Sequence, residues 1–299
     1  MATTLMAVMV LAACSAAQTR TVLDPQPPPD SLTIRRLVPE VEMVFSARDQ
    51  QGNPVASLCA PQITVLDNGV AAPLTSLQAA DDLPLRAALL LDGSDSMRPG
   101  FAALRQAGLD FLRRLQRSGC DQTFAVTFAA GEASGNEAGP DGGLPVHQAG
   151  GQTALYDALI AAAGRLRSGA PGRLLLLLLS DGDDNYSRAT LAEALAALQQ
   201  GNIVVYSMMV HNPRLEYPGD RVLRQIAAAT GGRSFRLRSY RELRKVLPVI
   251  EHDLRGQYVL GFRPPGRLAA GEFHSVQVIA VPPGTVIRAR SGYYVDPQD

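Results

Sequence analysis

Six consecutive leucines, at positions 174–179, stand between Arg173 and Ser180-Asp181-Gly182. A run this short falls far below the roughly 20 residues needed to cross a bilayer. It has no alternation that would turn one face to water. The run therefore reads as a central strand buried on both faces, which requires a parallel sheet covered by helices. Its surroundings keep the same rhythm. From residue 85, short apolar runs at 87–91, 123–128, 203–210 and 234–237 alternate with helical stretches at 153–166, 189–199, 221–229 and 240–254. A further helix places Phe101, Leu104, Gly108, Phe111, Leu112 and Leu115 on one face. The glycine-rich stretch 131–151 reads as a long polar connection. The predicted fold class is α/β, with a doubly wound, mostly parallel sheet.

On either side the pattern is β. Residues 41–48 and 63–66 read as strands, 51–54 as a turn and Asp67-Asn68-Gly69 as a tight hairpin turn. The tail offers strands at 258–262, 276–281 and 286–294, the last two joined by Pro282-Pro283-Gly284. In the simplest arrangement the tail strands pair with the N-terminal strands as one β-sandwich, and the α/β domain is an insertion. Two separate β modules are the alternative. The resulting division is a signal peptide at 1–20, a proline-rich linker at 21–35, an N-terminal β module at 36–82, the α/β domain at 83–256 and C-terminal strands at 257–299.

The signal assignment rests on an apolar run at 5–13 that ends in small residues and is too short to anchor as a helix. Leu11-Ala12-Ala13-Cys14 resembles a bacterial lipobox, which would leave Cys14 as a lipid-bearing N-terminus; a cut after Ala17 would release the chain without lipid. Either product is exported to the periplasm or cell envelope and has no membrane span of its own. Cys59 and Cys120 then remain in a compartment where a disulfide persists, and free buried thiols are the default reading.

Charge excludes one class of partner. Twenty-eight basic residues balance 28 acidic ones, so no global field draws the chain to nucleic acid. The local run Arg233, Arg236, Arg238, Arg241, Arg244 and Lys245 crosses from strand to helix spacing, which spreads it over several solvated faces. His147, His211, His252 and His274 are scattered without ligand spacing.

The chemistry concentrates at strand ends. Asp92, Ser94 and Ser96 occupy alternate positions just past one apolar run, Asp181 stands just past the leucine run, and Thr153 opens a helix after Gly150-Gly151-Gln152. Parallel strands deliver their carboxyl ends to one edge of the sheet, where ligands of such folds bind, so these five side chains can share a site. All are oxygen donors. Hydroxyls with a few carboxylates suit a hard cation, with Mg²⁺ the first choice and Mn²⁺ or Ca²⁺ as alternatives, whereas zinc favours His or Cys. Asp183 and Asp184 read as solvated acids and a cap for the helix starting near Ala189.

Asp-x-Ser-x-Ser, a distant Thr and a Ser-Asp-Gly after a hydrophobic strand resemble the metal ion-dependent adhesion site of von Willebrand factor type A domains. The resemblance implies direct coordination by Ser94 and Ser96. Asp92, Thr153 and Asp181 would bind directly or through water, and a ligand carboxylate would fill the open position. Asp95 departs from the glycine that many relatives carry there, and adds negative charge beside the site. A narrower likeness, carried by Gly52-Asn53-Pro54-Val55, residues 63–69, 154–159 and 258–264, and the stretch 288–294, is to a bacterial subfamily of exported von Willebrand A-related proteins.

The function expected from these readings is an exported, non-enzymatic, metal ion-dependent protein-binding module that recognises a carboxylate on an unidentified protein partner. A metal-dependent hydrolase is one alternative. It lacks a Gly-x-Ser-x-Gly elbow, a phosphate loop and a histidine near the motifs. A structural envelope protein whose β module makes the contacts is the other.

Overall fold

The structure is a computed structural model that describes residues 40–129, 151–210 and 217–295, except 56, 118, 267 and 281–283. The expected signal peptide, proline-rich linker and Cys14, most of the glycine-rich connection, His147 and His211 lie outside the described residues. In chain order the strands and helices are β1 (Val41–Arg48), β2 (Ile63–Asp67), β3 (Val70–Ala72), β4 (Leu74–Ala79), β5 (Leu85–Asp92), α1 (Phe101–Leu115), β6 (Gln122–Phe128), α2 (Leu155–Arg167), β7 (Arg173–Leu179), α3 (Leu191–Gln200), β8 (Ile203–Val210), α4 (Pro218–Ala229), β9 (Arg233–Leu237), α5 (Leu243–Arg255), β10 (Gln257–Phe262), β11 (Phe273–Ala280), β12 (Val286–Ala289) and β13 (Gly292–Tyr294).

The leucine run is the middle of a five-stranded parallel sheet ordered β6-β5-β7-β8-β9. Successive side chains of a strand point to opposite faces, and here both faces are covered. Leu175, Leu177 and Leu179 pack with Leu104, Phe111, Leu247 and Ile250 of α1 and α5. Leu176 and Leu178 pack with Leu159, Leu198 and Ile226 of α2, α3 and α4. An unalternated sequence is the direct result, because every position of β7 but the half-buried Leu174 is buried. The chain winds outward from β5 in both directions, so the strand order reverses between β5 and β7, where such sheets open a crevice at their carboxyl ends.

The remaining strands form two four-stranded antiparallel sheets, β12-β1-β10-β4 and β13-β11-β2-β3. Met43, Phe45, Leu260 and Phe262 from the first meet Ile63, Val65, Val276 and Val278 from the second in one apolar core. Tail strand β10 lies between β1 and β4, and β11 pairs with β2. Asn68 and Gly69 both take positive φ, as the two-residue turn joining β2 to β3 requires. All of this belongs to one compact unit, Val38–Asp299.

Two expectations change, and one strand has no counterpart among them. The segment 286–294 is two strands in different sheets, separated at the buried Arg290, whose guanidinium donates to the carbonyls of Gln199 and Glu42 (2.8 Å for the latter). Strand β4 carries no periodic apolar signal, with mostly exposed residues, and is held as an edge by β10. Cys59 and Cys120 form no disulfide, but both are exposed instead of buried, since one precedes a short 3₁₀ turn and the other lies in the loop after α1. Among the described residues no helix is long and apolar enough to cross a membrane.

Sheet and sandwich are joined through a buried acid. Asp253 near the end of α5 is 1% exposed and is held by Arg48 of β1 and by Arg233 of β9, the latter at 3.1 Å. Arg173, at the start of β7, donates to the Leu254 carbonyl at 2.9 Å and to Gln257 Oε1 at 3.1 Å. In the sandwich, His274 pairs with buried Asp67 at 2.8 Å, and Asp67 also accepts from the Tyr293 hydroxyl at 2.9 Å.

Candidate metal centre

Asp92 ends β5, the strand adjacent to β7, and is completely buried. Its two oxygens have separate partners: Oδ1 accepts the backbone N–H of Ser94 at 2.9 Å, and Oδ2 accepts the hydroxyl of Ser180 at 2.6 Å. The first bond folds the chain back after the strand and leads into a 3₁₀ turn over Asp95–Gly100. This fold-back brings the Ser94 and Ser96 hydroxyls within 3.0 Å of each other. Burial pushes the Asp92 carboxyl up to about 6; hydrogen bonds from Ser180 and Ser94 oppose that rise, and the neighbouring charge of Asp181 adds to it.

Asp181 follows β7 directly after Ser180 and is also buried. Gly182 makes the turn possible. It sits at φ +83°, and a Cβ there would lie 2.4 Å from the Gly219 carbonyl oxygen at the start of α4. The Ser180 hydroxyl accepts the Gly182 N–H at 3.0 Å, so one serine ties the β5 acid to the turn that carries Asp181.

Thr153 arrives from a third segment and is 3% exposed. The Gly151 carbonyl accepts the Asp95 N–H at 3.3 Å, which links its loop to the serine loop. On its other side, the segment after Asp181 grips the Thr153 backbone. Asn185 Oδ1 accepts the Thr153 N–H at 2.8 Å, and the Thr153 carbonyl accepts the N–H groups of Asn185 at 3.1 Å and Tyr186 at 3.0 Å. The five residues named from sequence thus lie on three loops cross-linked at the carboxyl edge of β5 and β7.

Two further residues that hold this arrangement together are not among the five named from sequence. Ser180 was visible only as a neighbour of Asp181, and Asn185 reaches Thr153 across 32 residues, a distance that no local pattern encodes. Asp184 has a different role from the expected one. It accepts the Tyr156 N–H at 3.0 Å at the start of α2 and the Ser187 N–H at 3.1 Å. Helix α3 is capped instead by Thr190, whose hydroxyl accepts the Glu193 N–H while Glu193 returns to the Thr190 N–H at 2.7 Å. Thr190-x-x-Glu193 is a capping-box pattern, so that assignment was available in the sequence. Asp95 is exposed and paired with Arg98 at 2.5 Å, which offsets the charge it adds beside the site.

The donor set fits a hard divalent cation. Asp92 and Asp181 are buried acids without a basic partner among the described residues, an arrangement that is costly unless something cationic joins it. Hydroxyl oxygens of Ser94, Ser96 and Thr153 would complete a set suited to Mg²⁺ or Mn²⁺. Among the described residues no cluster of three or more His, Cys, Asp and Glu side chains exists, so a zinc-type nitrogen and sulfur site is not available there.

No family model matches the sequence. No curated protein matches it either. Among solved structures, proximal thread matrix protein 1 from the mussel byssus, with a zinc-occupied MIDAS motif, is 18% identical over 62% of this chain and 48% of its own, with a TM-score of 0.49. The pilus adhesin SpaC from Lactobacillus rhamnosus GG is 10% identical over 80% of this chain and 49% of its own, at 0.47. The ArnB paralog VWA2 from Sulfolobus acidocaldarius is 12% identical over 86% of this chain and 77% of its own, at 0.43. The chain thus spans about half the length of the first two. Identities this low transfer no activity or ligand.

Proposed function

We propose that the chain is an exported, metal ion-dependent protein-binding module of the von Willebrand factor A type. In this reading Asp92, Ser94, Ser96, Thr153 and Asp181 hold Mg²⁺, with Mn²⁺ or Ca²⁺ as substitutes, and a carboxylate on a protein partner completes the shell. The observation that supports it most is the pair of buried acids at the switch point of the sheet, bonded to hydroxyls and amides and left without a basic side chain among the described residues. A bound cation would supply positive charge to attract an acidic group. The residues themselves set the geometry: Ser180 fixes Asp92, and Asn185 fixes Thr153. Export, with or without lipid on Cys14, and the division into an α/β domain at 83–256 flanked by β strands belong to the same proposal.

Calorimetry with Mn²⁺ tests the site. Wild type should bind one ion, and Asp92→Ala and Asp181→Ala should each lose at least tenfold in affinity with unchanged circular dichroism. Unaltered affinity in both variants would remove the cation from these residues and leave the β sandwich as the better contact surface.

A further inference from the structure

The basic run that the sequence spreads over several faces does not disperse completely. Arg233 and Arg236 are taken up by Asp253 and Asp220. Arg241 and Arg244, by contrast, line a groove of about 770 Å³ between α1 and α5, together with Arg114 from the opposite helix. All three are exposed, and among the described residues none has a carboxylate within ion-pairing distance. The groove has one acid of its own, Asp110, and that is already engaged by Arg113 at 2.5 Å and by Gln106 at 3.0 Å. Its lining also has an apolar part, Ala103, Ala107, Leu243 and Leu247.

We infer that this groove is a second binding site, separate from the candidate metal centre, for an acidic peptide segment in which carboxylates alternate with apolar side chains. Three features select that occupant. The guanidiniums, without a carboxylate partner among the described residues, offer forked donors suited to carboxylates. The apolar lining gives the intervening side chains a surface to cover. Length also fits: the α1 wall runs from Ala103 to Arg114, about 16 Å at ~1.5 Å per residue, which matches about five residues of extended chain at ~3.3 Å each. A membrane of anionic lipid presents a broad plane, and the arginines stand on the walls of a concavity between two helices, so a single segment fits the shape better.

The test uses the full chain in excess EDTA, so that it does not depend on the cation reading. The probe is a fluorescein-labelled peptide of alternating leucine and glutamate, about six residues long, followed by fluorescence polarisation. Its glutamine counterpart and vesicles of phosphatidylglycerol serve as comparisons. Wild type should bind the glutamate peptide at least tenfold more tightly than the glutamine peptide, and the affinity should fall as salt rises. R241Q/R244Q should lose at least tenfold, and adding R114Q should lose more, while Asp92→Ala leaves binding unchanged. Arg114 and Arg244 are exposed on helices and Arg241 is exposed in the 3₁₀ turn before α5, and circular dichroism verifies that each variant is folded. Equal affinity for the two peptides, or full binding by the triple variant, would overturn the site. Arginine-dependent binding to the vesicles without binding to the peptide would overturn the occupant. Loss of peptide binding in Asp92→Ala would overturn its independence from the metal centre.

Discussion

Two buried aspartates, about equally hidden from water, are treated in opposite ways. Asp253 at the junction of sheet and sandwich is held by two guanidiniums from different elements, Arg48 and Arg233. Asp92 at the carboxyl edge of the sheet is bonded to Ser180 and Ser94 and has no basic partner among the described residues, with the acid Asp181 as its electrostatic neighbour. At Asp253 the charge is neutralised within the fold, so the residue serves cohesion. At Asp92 no basic side chain among the described residues answers the charge, as the proposed cation site requires. The contrast separates a structural acid from the acid proposed to hold a cation by partner type, since burial alone does not distinguish them.

The largest effect should come from breaking the paired acid. Asp253→Ala leaves Arg48 and Arg233 without their counter-charge and should cost about 3 kcal/mol or more in urea unfolding. Asp92→Asn in chelator should change stability by no more than about 1 kcal/mol, because the amide keeps an acceptor for the Ser94 N–H and sheds a buried charge. Equal losses in the two variants would erase the distinction.

A smaller effect sharpens the polar side of the contrast. Asn185→Ala removes the acceptor for the Thr153 N–H and should cost about 1 kcal/mol. Hydrogen exchange at the Thr153 amide should accelerate about fivefold or more, and Asn185→Asp, which keeps the acceptor oxygen, should restore protection. Unchanged exchange in Asn185→Ala would mean that Thr153 is positioned by its own loop.

The smallest effect concerns a third buried acid, at the opposite edge of the same sheet. Asp121 accepts the Leu85 N–H at 2.8 Å and pairs with Arg117 at 2.9 Å. Burial acts to raise its pKa, but the hydrogen bonds from Arg117 and from the Leu85 and Arg117 amides outweigh it and hold the carboxyl below its ordinary range. A carboxyl depressed in the folded state contributes stability that is present above the unfolded pKa and lost as pH falls through the folded one. Unfolding measured from pH 6 to pH 2 should therefore show a loss of up to about 1 kcal/mol below pH ~4 that Asp121→Asn does not show. A parallel pH slope in the variant would assign the acid sensitivity elsewhere.

The sequence by itself pointed to the parallel sheet, because a strand covered on both faces is apolar along nearly its whole length and the short leucine run is repeated in rhythm by apolar runs and helical stretches on either side. It also determined where oxygen donors accumulate, since residues just past a strand end must lie at the sheet edge. Hairpin chemistry at Asn68-Gly69 was equally local. Tertiary structure decided what depends on partners distant in the chain. The split of 286–294 between two sheets turns on Arg290 reaching Gln199 and Glu42, 91 and 248 residues away. Strand β4 exists because β10 pairs with it, not because of its own pattern. Arg241, in the 3₁₀ turn before α5, and Arg244, on α5, are three residues apart, and only the packing of this segment beside α1 sets them in one groove with Arg114. Asn185 became part of the candidate site because the loop after Asp181 folds over Thr153. Local periodicity records which face of an element is covered; it holds no information about which polar side chain meets which, since that is set by the docking of whole elements whose own patterns are satisfied in many arrangements.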